Sequence, residues 1–115
     1  MSNPNEPTSS SPSSHSLSLT DFQKLIEKMY GQKDRERGVE GTFMWFMEEV
    51  GELATALREG RADELEGEFA DVVAWLTTMA NVVGIDLTQA IYKKYGTGCP
   101  GCQKLVCACP PEEKP

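Results

Sequence analysis

Two short acidic segments carry the residues best suited to chemistry. The first is Glu48-Glu49-Val50-Gly51-Glu52 and the second is Glu68-Phe69-Ala70-Asp71. Within each segment, carboxylates three residues apart share one face of a helix. Two such helices lying side by side would bring four or five carboxylates to one point. Charges of one sign packed that closely repel strongly, so a bound cation is expected between them. No histidine accompanies the carboxylates, and an all-oxygen donor set favours Mg²⁺ or Mn²⁺ over zinc or copper. The expectation is a magnesium site on a helix pair, and magnesium sites commonly hold phosphates.

A plainer reading is open for the same residues. Glutamate is a good helix former, and many helices carry it on solvated faces. Two features weigh against that. The motifs recur on consecutive helices, and each borders an apolar stripe rather than opposing it. In addition, Glu48, Glu49 and Glu52 have no lysine or arginine four residues onward; Glu52, Leu53 and Ala56 stand there instead. A di-iron carboxylate bundle would want Glu-x-x-His on two helices. The lone histidine, His15, lies far outside the acidic segments.

The elements that position these residues read as helices. Thr20 is a candidate N-cap with Asp21 in the first turn, followed by Phe22, Leu25, Ile26, Met29 and Tyr30 at helical spacing. This helix is expected to fade in the charged run between Gly31 and Gly38. Lys33, Arg35 and Arg37 there read as a solvated loop, with phosphate contact as the alternative. Thr42 is the next candidate cap, opening a helix over 43–59 whose apolar face is Phe43, Phe46, Val50, Leu53, Ala54 and Leu57. Gly60 ends it, and Asp63 caps or leads a third helix to about Val83. That helix turns Leu65, Phe69, Val72, Val73, Leu76, Met79 and Ala80 to one side. Gly84 stops it, and Asp86 caps a short fourth helix over 87–95.

No strand pattern is present. The fold expected is all-α, a four-helix bundle in one domain over residues 19–96, its short connections favouring antiparallel neighbours. A Ser-, Pro- and Asn-rich segment over 1–18, which contains His15, reads as a disordered tail. A cysteine-rich tail covers 97–115.

Composition narrows the function classes. The chain has 115 residues, 39% hydrophobic and 25% charged, as one small domain would. A formal net charge of -7 argues against a general nucleic-acid surface. No apolar run approaches the roughly 18 residues that span a bilayer, so no membrane partner is expected. The first residues lack a signal-like pattern, and the expected location is cytoplasmic. A domain this small has a marginal core. Met44, Trp45, Met47, Trp75 and Met79 add apolar surface beyond one stripe per helix, so a homo-oligomer is expected, dimer or tetramer. Trp45 and Trp75 read as core or interface residues rather than as base-stacking ones.

The stretches 42–57 (TFMWFMEEVGELATAL) and 68–76 (EFADVVAWL) resemble the MazG nucleotide pyrophosphohydrolases. That family belongs with the dimeric dUTPases and phosphoribosyl-ATP pyrophosphohydrolases among the all-α NTP pyrophosphatases. Its pattern, E-x-x-E, a spacer, then E-x-x-D, falls on Glu49 and Glu52, the spacer 53–67, and Glu68 and Asp71. The resemblance covers roughly residues 19–95. It implies an oligomeric helical enzyme that cleaves a nucleoside triphosphate to monophosphate and pyrophosphate with Mg²⁺. Glu49, Glu52, Glu68 and Asp71 would hold the metal, and Glu48 would orient or deprotonate the attacking water. Lys93 and Lys94 match the region where relatives contact the phosphates. The family's basic, Asn-containing continuation is absent, because Gly96 and then cysteines follow. Alternatives are a phosphoribosyl-ATP or other specialised pyrophosphohydrolase, and a non-catalytic helical interaction module.

The four cysteines, Cys99, Cys102, Cys107 and Cys109, form C-x₂-C-x₄-C-x-C. Four thiols so close suggest a structural Zn²⁺ in a reducing compartment. Free or redox-labile thiols and an iron–sulfur cluster are the other readings.

Overall fold

The computed structural model describes residues 16–113. Most of the expected N-terminal tail, His15 included, lies outside the described residues. Among those described there are three helices and no strand: α1 (Leu19–Glu59), α2 (Ala62–Val83) and α3 (Leu87–Tyr95). The first two of the expected four helices run together as α1, because the charged run after Gly31 stays helical up to Gly38 instead of looping out. Side-chain pairs within the run explain why. Arg35 bridges two turns back to Glu27 at 2.6 Å, Gln32 reaches Glu36 at 3.3 Å, and Arg37 pairs with Asp34 at 3.0 Å. The last two, at i,i+4 and i,i+3, are the spacings that support a helix with little apolar surface of its own.

α1 nevertheless carries a break. Gly38 has φ 83° and ψ 171°, a conformation open in practice only to glycine. Thr42, expected as a helix cap, lies inside α1, where its hydroxyl donates to the Gly38 carbonyl at 2.8 Å. Arg37 donates to the same hydroxyl at 3.2 Å. A fully buried Thr42 and a buried Asp34 therefore knit the two arms of α1 across the break through Arg37.

Most helix ends follow ordinary capping chemistry, the uncapped start of α2 at Arg61 excepted. Ser18, two residues earlier than the expected Thr20, accepts from the Asp21 N–H and starts α1. Gly60 and Gly84 close α1 and α2 in the left-handed conformation, at φ 68° and 77°. Asp86 accepts from the Gln89 N–H and starts α3. The tight turn at Gly60 and Arg61 folds α2 back along α1.

The packing seam differs from the expected stripe. On α1, Thr42 and Ala56 are buried and Phe46, Glu49 and Leu53 half-buried. Their spacing of four, three, four, three is that of a coiled-coil seam. On α2, Leu65, Glu68, Val72, Trp75 and Met79 are half-buried at the same kind of spacing. Phe46 and Leu53 of the expected apolar face turn inward, whereas Phe43 and Leu57 remain about half exposed. Phe69, Val73, Leu76 and Val83 of α2 are also exposed. Each long helix thus has a second apolar face. At the far end, Gln23 donates to Asn81 and to the Ile85 carbonyl and accepts from the Leu87 N–H, tying α1 to the α2–α3 turn. No single helix among the described residues is long and apolar enough to cross a membrane.

Candidate active site

The acidic segments occupy the seam where α1 and α2 meet, and this decides their geometry. Glu49 follows Phe46 and precedes Leu53 in the inward row of α1, while Glu68 lies between Leu65 and Val72 in the row of α2. Both therefore point to a helix–helix junction that their neighbours keep half dry. Glu49, Glu68 and Asp71 each place one carboxylate oxygen within 4.8 Å of the others. The Oε1 atom of Glu68 is buried and has no hydrogen-bond partner. An orphaned buried carboxylate oxygen is costly and calls for a physical reason, such as an ion or a function.

The electrostatics follow from that crowding. Burial pushes the Glu49 carboxyl above the usual carboxylate range, and repulsion from Asp71, Glu52, Glu68 and Glu48 adds to it. Glu68 is raised for the same first reason, with Glu52, Asp71 and Glu64 contributing and Glu52 within hydrogen-bonding reach. Glu52 is exposed and stands beside the trio rather than within it. Glu48 is exposed as well, and its influence on Glu49 is the smallest of the four acidic neighbours. A set of carboxylates that raise one another is poised to exchange protons for a cation of high charge density.

A cleft of about 360 Å³ adjoins this cluster and shares Asp71 with it. Its walls include Tyr30, Lys33, Asp34 and Arg37 of α1 and Trp75 of α2. Trp75 stacks on Trp45, with ring centroids 5.9 Å apart and planes inclined by 13°, and the Arg37 guanidinium lies 4.9 Å from the Trp75 ring centroid. Both tryptophans thus pack against each other, one of them at the edge of the cleft. The cations in the cleft wall are Lys33 and Arg37, from the run read as a solvated loop. The signal that marks them is their spacing: 30, 33, 34 and 37 stand at i, i+3, i+4 and i+7, one face of a continuing helix. Lys93 and Lys94 lie in the last turn of α3, where the Lys94 ammonium sits 5.7 Å from the Tyr95 ring centroid. They do not line this cleft.

A family model of the MazG nucleotide pyrophosphohydrolase domain matches residues 37–103, more than half of the chain. The chain belongs to the MazG family. The match takes in both acidic segments and the cleft-lining part of α2. No curated protein matches the chain closely enough to lend it a more specific activity. Membership fits the all-helical architecture and places the chain in a family of nucleotide pyrophosphohydrolases.

The second cluster on this MazG chain is the cysteine tail. Cys99, Cys102, Cys107 and Cys109 also bring one sulfur each to within 4.8 Å of the others. Donation from the Ala108 and Lys104 N–H groups pulls the Cys102 thiol down to about 6, whereas Cys109, hydrogen-bonded to Cys107, is pushed up to about 12.

Proposed function

We propose that this MazG domain hydrolyses nucleoside triphosphates, ribo or deoxy, to the monophosphate and pyrophosphate, with Mg²⁺ or Mn²⁺ held by Glu49, Glu52, Glu68 and Asp71. The observation that carries this reading is the convergence of Glu49, Glu68 and Asp71 from two helices around the buried, unpartnered oxygen of Glu68. The donor set fits the ion: all ligands are carboxylate oxygens, as hard divalent cations prefer. When bound, the ion supplies charge neutralisation for the triphosphate and acidity for a nearby water.

The chain's own residues do the rest. Glu48 lies on the exposed side of the cluster, free to orient the attacking water and accept its proton. The water oxygen then bonds to the α-phosphorus, and the α–β bridging oxygen departs with pyrophosphate. Lys33 and Arg37 offer positive charge in the cleft beside Asp71, suited to phosphate oxygens. Lys93 and Lys94 are a second pair of phosphate contacts proposed from the family pattern. The cleft volume is within the range that holds small ligands.

The active form in this reading is a homo-oligomer, dimer or tetramer. Its support is the second apolar face on each long helix, where Met44 is 71% exposed and Phe69 51%. The decisive experiment is pyrophosphate release from every NTP and dNTP, and from phosphoribosyl-ATP, with Mg²⁺ and with chelator. Mg²⁺-dependent release from nucleoside triphosphates is expected. Preference for phosphoribosyl-ATP would move the protein to a specialised branch. Absence of turnover on the whole panel would leave a non-catalytic helical module.

A further inference from the structure

The tail after α3 has no hydrophobic reason to be folded. Leu105 is 92% exposed and Val106 86%, and no regular secondary structure follows Tyr95 among the described residues. Yet residues 98–109 form a closed loop whose four sulfurs meet. The Cys99 and Cys109 sulfurs are 3.9 Å apart, and all four offer positions within 4.8 Å of one another. A zinc–sulfur bond of about 2.3 Å gives a tetrahedral sulfur–sulfur edge of roughly 3.8 Å. The thiols are thus already spaced for one ion, and they are free rather than paired in disulfides.

The backbone around them is shaped to the same end. Gly101, Ala108 and Cys109 donate their N–H groups to the sulfurs of Cys99, Cys102 and Cys107, each at 3.3 Å. Such bonds to sulfur stabilise thiolates and orient them as ligands. Gly101 has no side chain where one would crowd the cluster: a Cβ there would stand 3.0 Å from the Cys109 sulfur and 3.7 Å from that of Cys99. The loop is closed by the Cys99 N–H donating to the Lys104 carbonyl at 2.9 Å, and joined to α3 by the Gly98 N–H donating to the Tyr95 carbonyl at 2.9 Å.

We propose that Cys99, Cys102, Cys107 and Cys109 bind one structural Zn²⁺, and that this ion, rather than a hydrophobic core, folds the tail and fastens it to the end of α3. Ligation of four thiolates supplies folding free energy directly. The site is separate from the carboxylate cluster in both donor chemistry and ligands, sulfur here and oxygen there.

The test uses the full chain, purified under reducing conditions without chelator. Elemental analysis is expected to give about one zinc per chain, released in step with mercurial titration of four thiols. Replacement by Co²⁺ is expected to give the visible bands of tetrahedral cobalt thiolate. Cys107→Ser should lose most of the zinc and Gly101→Ala should retain it less tightly, while both keep the far-ultraviolet helix signal of α1 and α2. Glu52→Gln should keep full zinc content. Metal-free protein with intact helices, two disulfides under the same reducing conditions, or iron with acid-labile sulfide would each overturn the proposal.

Discussion

Arg37 donates to Asp34 at 3.0 Å from one side of the break in α1, and through Thr42 it holds the other side. Asp34 is 2% exposed, so this ion pair is formed largely out of water. Arg37 also lies over Trp75 in the cleft wall. One guanidinium therefore joins the bend of α1 to the wall of the cleft beside Asp71.

Asp34→Asn is expected to destabilise the fold by about 1–3 kcal/mol, the usual cost of leaving a buried, charge-assisted hydrogen bond half made. Thermal unfolding with and without Mg²⁺ measures it. An unchanged midpoint would mean that Arg37 finds an equally good partner without the charge.

Gly38→Ala places a side chain at φ 83° and ψ 171°. The expected cost is again about 1–3 kcal/mol. Because the break sets where Arg37 and Lys33 stand relative to Asp71, KM should rise as well, read from steady-state pyrophosphate release.

Glu68→Gln and Asp71→Asn are each expected to lower kcat/KM by about a hundredfold or more, since a lost metal ligand removes several kcal/mol of charge stabilisation. Glu68→Gln should also unfold at a higher temperature than the parent in chelator, because it removes the desolvated charge at Glu68 and its repulsion of Glu49, Glu52 and Asp71. Parent-like hydrolysis in both variants would remove the proposed site.

The pH dependence of stability has a definite sign. Glu49 and Glu68 titrate higher in the folded chain than in the unfolded one, so the native state binds more protons in that interval. Their destabilising effect is absent below the ordinary carboxylate pKa and fully present above the raised values. In chelator, these two groups should make the protein melt lower at about pH 7 than at about pH 5. Saturating Mg²⁺ should shrink or reverse that difference. Melting curves at both values, with and without the ion, check it.

Phe69→Glu on the exposed face of α2 is expected to shift the protein toward monomer in light scattering coupled to size exclusion. Phe69 is 51% exposed and borders none of the cleft. An unchanged mass would place any subunit contact on another face.

The sequence shows the later helix ends and the acidic motifs well because both are local. Gly60, Gly84 and Asp86 do in space what their types suggest, and Glu49, Glu68 and Asp71 meet as their spacing implies. What it showed less clearly depends on contacts across elements. The run 31–37 reads as a loop because its side chains are charged, and only the pairs Glu27–Arg35 and Asp34–Arg37 reveal why it stays helical. By type, the apolar stripe on 43–59 runs through Phe43 and Leu57, since hydrophobicity alone does not distinguish a face packed on α2 from a second apolar face. Thr42, polar by type and fully buried in fact, marks the true seam.

The orphaned oxygen of Glu68 has an evolutionary corollary. A library of variants selected for heat resistance in the absence of nucleotide and divalent ion would drift away from glutamate at 49 and 68. One selected for turnover would hold both positions fixed. The acids in the seam are therefore a place where persistence of the fold and usefulness of the molecule pull the sequence in opposite directions.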